Sequence, residues 1–366
     1  MRENKVIYGL IGYGGMGRWH TEILSNVPEI EIGGIYDIKE EKRIEAKEKG
    51  FSVYGSEEEM LSDPDIDVVL IATPNDCHKP IAIRAMHAGK NVISEKPVTL
   101  SSSDLQEMEN VAKETGKFLT VHQNRRWDDD FLIIRKLVEE QKLGHVFRIE
   151  SRVHGSRGIP GDWRKEKIHG GGMVLDWGVH LLDQILYLYG DRKIETVYAS
   201  LTHITNQEVD DGFTTILTFE GGTEVLVEVG TNNYISLPRW YVLGEDGTAV
   251  IRDWQLNGEI IRKTGITEEK VVPVKTAAGL TKTMAPRRED TIVKEELPHV
   301  SGDIADFHRN VAAVIRDGAE PEIKLFQVMR VMKLMEAIFR YFDYLPSLHN
   351  FSHCYSRYIS FSSFLR

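Results

Sequence analysis

The sequence predicts two domains, an α/β domain on a doubly wound parallel sheet and an α+β domain with a large, mostly antiparallel sheet. The chain has 366 residues, which is enough for about two domains. Its first third alternates short apolar runs with helical stretches, whereas beyond about residue 125 strand-like runs follow one another closely. No internal repeat is present, and 41% hydrophobic and 28% charged residues are ordinary for a globular protein.

The parallel sheet is predicted from apolar runs that lack alternation. Residues 68–72 (VVLIA) are continuously apolar, which is typical of a parallel strand covered on both faces. The predicted strands are 5–11, 31–36, 67–72, 90–95 and 117–122, and the predicted helices are 15–26, 39–49, 78–88 and 101–115. In such a sheet the ligand crevice lies at the carboxyl ends of the strands.

The first strand runs into a turn with the pattern G-x-G-x-x-G, formed by Gly12, Gly14 and Gly17. The first glycine permits the tight turn, the second lets backbone approach a pyrophosphate, and the third lets the helix pack against the strand. The N–H groups at the helix start attract phosphate, so Gly15 and Met16 are also predicted contacts. The pattern indicates a dinucleotide-binding Rossmann domain.

A second apolar run ends in Asp37, 20 residues beyond Gly17, where such a domain places the carboxylate that holds the ribose hydroxyls. A carboxylate repels a 2′-phosphate, so NAD is the predicted cofactor and NADP the alternative. Lys39, Lys42 and Arg43 follow closely and could offset the repulsion. We favour the interpretation that they form the solvated face of the next helix.

Charge and composition exclude several classes of protein. The net charge is −11, which argues against a sequence-independent nucleic-acid binder. No apolar run approaches the ~20 residues of a membrane span, and a strand begins without a signal peptide before it. Cys77 and Cys354 make no disulfide framework, and no metal-binding pattern is present. We expect a cytoplasmic protein.

Two polar clusters follow predicted strands of the first domain. Thr73, Pro74, Asn75 and His78 lie above the expected crevice, where the hydroxyl and amide could contact the cofactor. The alternative is a turn with a helix cap. In the second cluster, 95–97 (EKP), Glu95 and Lys96 are candidate cofactor contacts. A partly buried lysine can exchange protons near neutrality, although a surface salt bridge of Glu95 would explain the cluster in isolation.

The segment 170–183 contains the third cluster, on a helix predicted over about 172–189. Asp176 and His180 are four residues apart, so on a helix their side chains share one face, and Asp183 extends the stripe. A carboxylate beside an imidazole suits a base that takes a proton from an alcohol. The alternative is an ordinary hydrogen-bonded pair within a helix.

The domain junction supplies the fourth cluster. Gln123 is predicted at a strand end above the crevice, and Asn124 and Arg125 are candidate contacts to a polyhydroxylated ligand. Arg126 and Trp127 could equally be interdomain packing. The predicted domains are 1–123, 124–343 and an atypical tail, 344–366.

In the second domain, Trp163 and Arg164 are either cofactor contacts or parts of a structural loop.

The predicted elements of the second domain are a helix at 129–140, strands at 145–153, 193–204, 212–219, 223–230, 239–243 and 247–252, a long irregular loop at 274–302 and helix at 303–342. The tail has no Asp or Glu but six Ser and six aromatic residues. It is either a packing or oligomer arm or a foreign extension.

Together these segments resemble the glucose–fructose oxidoreductase/inositol dehydrogenase (Gfo/Idh/MocA) family over about residues 4–343. The resemblance rests on the glycine turn, 72–75 (ATPN) with His78, 88–90 (AGK), 95–97 (EKP) and the run from Gly171 to His180. The stretch 124–128 (NRRWD) resembles the scyllo-inositol dehydrogenase branch. Asp37 departs from its NADP-preferring members, and the tail departs from the family pattern.

The resemblance implies that Lys96, Asp176 and His180 form a catalytic group that also contacts substrate, together with Asn124 and Arg125. It further implies a cis Lys96–Pro97 bond and homodimers or homotetramers formed through the open sheet face. The implied activity is NAD(P)-dependent oxidation of a secondary alcohol on a sugar, inositol or related polyol. The alternatives are an NAD-dependent glycosidase and a non-catalytic sugar sensor.

Overall fold

The computed structural model describes residues 5–266 and 271–344. The prediction for the tail therefore falls almost wholly outside the described residues. Within the described ranges, no helix is both long enough and apolar enough to cross a membrane.

The first sheet has five parallel strands in the order β2-β1-β3-β4-β5, as the apolar runs predicted. Val53 adds an isolated parallel bridge to Ile35 on the outer side of β2. The strands are β1 (Val6–Ile11), β2 (Ile30–Tyr36), β3 (Val68–Ile71), β4 (Asn91–Ser94) and β5 (Leu119–Val121); the helices are α1 (Gly15–Leu24), α2 (Glu40–Glu48), α3 (Glu57–Ser62), α4 (His78–His87) and α5 (Ser102–Thr115). Helix α3 was not predicted because it is only six residues long and has little apolar periodicity.

The second sheet has eight strands in the order β15-β12-β11-β10-β6-β9-β8-β7. Strands β6 and β9 pair in parallel and all other neighbours are antiparallel, which confirms a large, mostly antiparallel sheet. The strands are β6 (Val146–His154), β7 (Ile194–Thr202), β8 (Gly212–Phe219), β9 (Glu224–Gly230), β10 (Trp240–Gly244), β11 (Gly247–Ile251), β12 (Gly258–Lys263), the separate hairpin β13 (Val274–Thr276) and β14 (Gly279–Thr281), and β15 (Ile292–Glu295).

The prediction of an irregular loop over 274–302 was wrong in part. Strand β15 closes one edge of the large sheet by pairing with β12, and β12 was not predicted either. Neither strand carries a strong apolar signal, because both lie near the sheet edge and are largely solvent-facing. Pairing with neighbouring strands decides their conformation.

Among the described residues, helices cover one face of the large sheet, and the side chains on the other face, here called the open face, are partly exposed. On the open face, partly exposed side chains form a row across neighbouring strands that includes Tyr198, Ile216, Leu226, Glu150 and Tyr241. The alternating residues point into the core, as in the buried β9 valines 225, 227 and 229. The covering helices are α6 (Asp129–Glu139), α7 (Val179–Tyr189) and α9 (Leu325–Tyr344).

The helices predicted at 172–189 and 303–342 are both interrupted. A π-helical turn, Val174–Gly178, precedes α7, and such turns are frequent at functional sites. The C-terminal stretch is divided into α8 (Ala305–Asp317) and α9, since Gly318 ends α8 with a positive φ of 67°. Helix α8 packs back on β1 and α1, so the last part of the chain contributes to the first domain.

Candidate active site

The glycine turn has the geometry that dinucleotide binding requires. Gly12 has φ of 98°, and a Cβ there would lie 2.5 Å from the Ala72 carbonyl oxygen. A Cβ on Gly17 would lie 2.1 Å from the Gly12 carbonyl oxygen, so α1 packs directly on the turn. Around Gly14 and Gly15, by contrast, no atom lies within 4 Å of an added Cβ. The turn is therefore tight towards the sheet and open towards the crevice, which fits a bound pyrophosphate.

Asp37 lies directly after β2 and is held beside this turn. Its Oδ2 accepts a hydrogen bond from the Tyr13 amide at 2.7 Å, and its Oδ1 accepts one from the Lys39 amide at 2.9 Å. Of the nearby cations, Lys42 pairs with Glu45, whereas the Arg43 guanidinium donates to the Asp37 carbonyl. The carboxylate is thus oriented at the place that the spacing predicted for ribose recognition.

Lys96 and Asp176 meet across the two domains. The Lys96 Nζ lies 2.9 Å from the Asp176 carbonyl oxygen and 3.2 Å from its Oδ1, and both side chains are largely buried. The Arg164 Nε lies 3.3 Å from the Asp176 Oδ2. Burial raises the pKa of Asp176, but the Lys96 and Arg164 cations outweigh it and lower that pKa below its usual value. The Lys96–Pro97 bond is cis.

His180 is buried on the first turn of α7, and its Nδ1 has no hydrogen-bond partner among the described residues. Burial, reinforced by the Lys96 and Arg125 cations, lowers the pKa of His180 well below its usual value. The imidazole is therefore neutral near pH 7. A neutral imidazole beside a lysine ammonium can accept a proton from a substrate hydroxyl.

Unpartnered buried polar atoms concentrate around these groups. Gln123 Oε1, Asn124 Oδ1, Arg125 Nε and Gln184 Oε1 have no hydrogen-bond partner among the described residues. Such atoms cost free energy unless a ligand or water satisfies them. Because Arg125 acts on His180 and Gln184 lies one turn further along α7, these atoms mark the domain junction as a candidate ligand site.

Two family models match consecutive parts of the chain. Residues 6–123 match the model of an oxidoreductase family with an NAD-binding Rossmann fold, and residues 131–250 match the GFO/IDH/MocA C-terminal domain. The chain belongs to the Gfo/Idh/MocA family. It is therefore an oxidoreductase with an NAD-binding domain, and the predicted family and fold class are confirmed.

Two individual relatives extend the match over nearly the whole chain, and a third matches about half of it. The crystal structure of an NAD-binding protein from Listeria innocua is 48% identical, with a TM-score of 0.91 over 93% of this chain and 98% of that one. The scyllo-inositol 2-dehydrogenase (NADP(+)) IolW of Bacillus subtilis is 27% identical to this chain. The alignment covers 90% of this chain and 91% of the relative. The uncharacterized oxidoreductase YdgJ of Escherichia coli is 37% identical over 51% of this chain and 55% of its own.

Two predicted cofactor contacts of this Gfo/Idh/MocA oxidoreductase are buried beneath the crevice instead. His78 is fully buried, and its two ring nitrogens lie 2.9 Å from the carbonyl oxygens of Pro97 and Thr73. Glu95 is also buried, with its carboxylate accepting hydrogen bonds from His20 and His122. His78 positions the loops that follow β3 and β4, and neither side chain is exposed to a cofactor.

The predicted pairing of Asp176 with His180 is not found in the described part of the chain. The Asp176 carboxylate contacts Lys96 and Arg164, and His180 forms no hydrogen bond with it. Helical spacing brings two residues near one another, but the charges from other segments decide which partner the carboxylate takes. Arg164 therefore contacts Asp176 in the candidate site, and its guanidinium lies 4.7 Å from the centre of the Trp163 ring.

Two other candidates have structural contacts, Asn75 between the two domains and Arg126 within the second domain. The Asn75 Nδ2 donates to the Gly170 carbonyl oxygen at 2.9 Å, and Asn75 is nearly inaccessible. Arg126 forms two 2.7 Å hydrogen bonds to the buried carboxylate of Asp183, which is a contact within the second domain. Asp183 is thereby occupied and is unavailable for the polar stripe that the sequence predicted.

Sequence reasoning missed Asp210 and Trp254. Asp210 accepts hydrogen bonds from the Met173 and Val174 amides at the start of the π turn, and burial raises the pKa of Asp210 to about 6. Trp254 lies on the turn between β11 and β12, with its ring 5.8 Å from that of Trp177. The sequence signal that could have indicated Asp210 is its pairing with a second aspartate at 211. No sequence feature near Trp254 indicates a role for that residue.

We expect substitutions at two glycines of the turn to have different effects, one on folding stability and the other on cofactor binding. Gly12→Ala should lower the free energy of unfolding by about 1–3 kcal/mol, because its φ is positive and the added Cβ would clash with backbone. Gly14→Ala should change stability by under about 0.5 kcal/mol but weaken NADH binding, because its methyl group enters open space at the crevice. Urea unfolding and NADH fluorescence titration measure the two effects. An unfolded Gly14→Ala, or one with unaltered NADH affinity, contradicts this assignment.

Asp37→Ser should shift the cofactor preference from NAD towards NADP. The substitution removes a charged acceptor for ribose hydroxyls, which lowers kcat/KM for NAD by about 10–100-fold, and it removes repulsion of a 2′-phosphate. Parallel assays with both cofactors measure the ratio. Glu40→Ser is the matched control, since it removes an exposed negative charge three residues away. An equal shift in the control would assign the effect to net charge alone.

Proposed function

We propose that this oxidoreductase transfers a hydride reversibly between NAD and a secondary alcohol of a sugar, an inositol or a related polyol, with NADP as the alternative cofactor. Bound nicotinamide would supply the hydride chemistry. The name of the Bacillus subtilis relative, a scyllo-inositol 2-dehydrogenase, supports the substrate class. The observation that carries the proposal is the contact of Lys96 with Asp176 across the two domains, together with a buried His180 whose pKa the Lys96 cation helps to lower.

In this proposal each residue has a separate role. The neutral His180 imidazole takes the hydroxyl proton of the alcohol, and the Lys96 ammonium hydrogen-bonds the reacting oxygen as its carbonyl forms. Asp176 holds Lys96 in place, and Arg164 balances the charge of that carboxylate. Asn124 and Arg125 would recognise the remaining hydroxyls. Alignment of the reactants can supply up to about 7–11 kcal/mol of the barrier reduction.

A spectrophotometric screen tests the reaction. Inositols, aldoses and their keto forms are assayed with NAD and NADP in parallel, and the expected result is steady NADH formation from a free polyol and NADH consumption with its keto form. Cleavage of a chromogenic glycoside without net NADH formation would identify an NAD-dependent glycosidase instead. Binding of sugars without any turnover would identify a sensor. Either outcome overturns the dehydrogenase proposal.

We also propose that the enzyme acts in the cytoplasm as a homodimer or homotetramer. The open face of the large sheet supports this, since Tyr198, Ile216, Leu226 and Tyr241 form a partly apolar row there. A second copy on this face would bury that row. Sedimentation analysis of the purified chain distinguishes a dimer or tetramer from a monomer.

A further inference from the structure

Three histidines meet in the core of the first domain, beneath the loop that carries Lys96. His20 comes from α1, His122 follows β5 and His308 comes from α8, and all three are fully buried. One ligand atom of each lies within 4.8 Å of those of the other two. None of the three belongs to the candidate active site, and the proposed reaction uses none of them.

Glu95 orients two of these imidazoles. Its Oε1 lies 2.8 Å from His20 Nε2 and 2.9 Å from His122 Nδ1, and its Oε2 accepts the Lys96 amide at 3.1 Å. A neutral imidazole has one N–H, so donation to Glu95 leaves a lone pair on His20 Nδ1 and on His122 Nε2. A carboxylate that holds histidines in this way is the usual support of metal-binding imidazoles.

The nitrogens left over are without protein partners. His20 Nδ1, His122 Nε2, both ring nitrogens of His308 and the Tyr8 hydroxyl are buried and form no hydrogen bond with any described residue. Within the same described ranges, no lysine or arginine forms an ion pair with Glu95. In these described ranges the cluster thus combines several unused lone pairs with a buried carboxylate that is paired with no lysine or arginine. A bound cation would satisfy both the charge and the lone pairs.

We propose that His20, His122 and His308 bind one divalent transition-metal ion of the zinc class, with Glu95 as the carboxylate that orients the first two. Imidazole nitrogen is a preferred ligand for zinc, cobalt and nickel. Metal–nitrogen distances of about 2.1 Å place tetrahedral ligands roughly 3.4 Å apart, so binding draws the three rings closer together. The ion would join α1, the end of β5 and α8, and its role would be structural.

Metal titration of the untagged full-length protein tests the site. The chain is stripped with a chelator, dialysed and titrated separately with Zn(II) and Co(II). Metal analysis should give one ion per chain, Co(II) should develop the visible absorption of a nitrogen-coordinated ion, and Zn(II) should raise the thermal midpoint. His308→Gln should abolish stoichiometric binding, and Glu95→Gln should weaken it roughly 10–100-fold. The matched control is His87→Gln, because His87 is exposed at the end of α4 and should leave binding unchanged.

Three results would overturn the proposal. The first is a wild-type chain that takes up no Zn(II) or Co(II). The second is a folded His308→Gln variant that binds as tightly as wild type, and the third is binding that disappears on Cys77→Ser. If His308→Gln does not fold, the stoichiometry and Co(II) spectrum of the wild-type chain decide. All readouts are independent of turnover, so failure here leaves the polyol dehydrogenase proposal unaffected.

Discussion

Lys96→Met is expected to lower kcat by about 10²–10⁴-fold, while NADH still binds. Lys96 is the cation that reaches across from the first domain, and its Nζ lies 2.9 Å from the Asp176 carbonyl oxygen and 3.2 Å from its carboxylate. Methionine keeps most of the side-chain volume but offers no N–H to the reacting oxygen. The cofactor turn is left intact, so the loss should appear in turnover and not in cofactor affinity. Steady-state kinetics with the polyol from the screen, and NADH fluorescence titration, measure the two quantities.

Lys113→Met serves as the matched control for this variant. Lys113 is exposed on α5, and removing its charge should leave both turnover and NADH binding unchanged.

A second consequence of Lys96→Met concerns Asp176, because the Lys96 cation helps to keep the pKa of that carboxyl low. In Lys96→Met the carboxyl should therefore take up a proton at a higher pH than in wild type. Wild-type turnover in Lys96→Met would remove lysine from the mechanism.

His180→Gln is expected to cause a loss of similar size, about 10²–10⁴-fold in kcat, because glutamine cannot accept the hydroxyl proton. The pH profile of the wild type should identify the base. Burial and two neighbouring cations lower the pKa of His180, so the neutral base persists as the pH falls through 6.5, the ordinary value for histidine. Wild-type kcat/KM should stay level there and decline only at lower pH.

The sign of this shift can be tested directly. Lys96→Met removes a positive neighbour, so protonation of His180 becomes easier and its pKa should rise. NMR titration of the imidazole in wild type and in Lys96→Met measures the change, with exposed His87 as an internal reference. A His180 that titrates near 6.5 in both proteins, or a His180→Gln variant with wild-type turnover, contradicts the assignment of His180 as the base.

Local patterns were sufficient for the predicted parallel sheet and for the cofactor turn. The apolar strands and the glycine spacing are properties of contiguous residues, so the five-stranded sheet appears at the predicted places, and Asp37 lies where the distance from Gly17 indicated. The roles proposed for the site residues stay predictions, as does the division between residues 123 and 124. Weakly apolar edge strands such as β12 and β15 were missed, because their conformation depends on pairing with neighbouring strands.

By itself, the sequence determined the fold class and the family, because both depend on short motifs in a fixed order. Only the tertiary structure decided the partners of the candidate site residues. Asp176 forms its contacts with Lys96 and Arg164 instead of His180, and Glu95 lies in a histidine cluster beneath the crevice. The physical reason is that charge pairing and burial act over a few ångströms in space, between segments that are far apart along the chain.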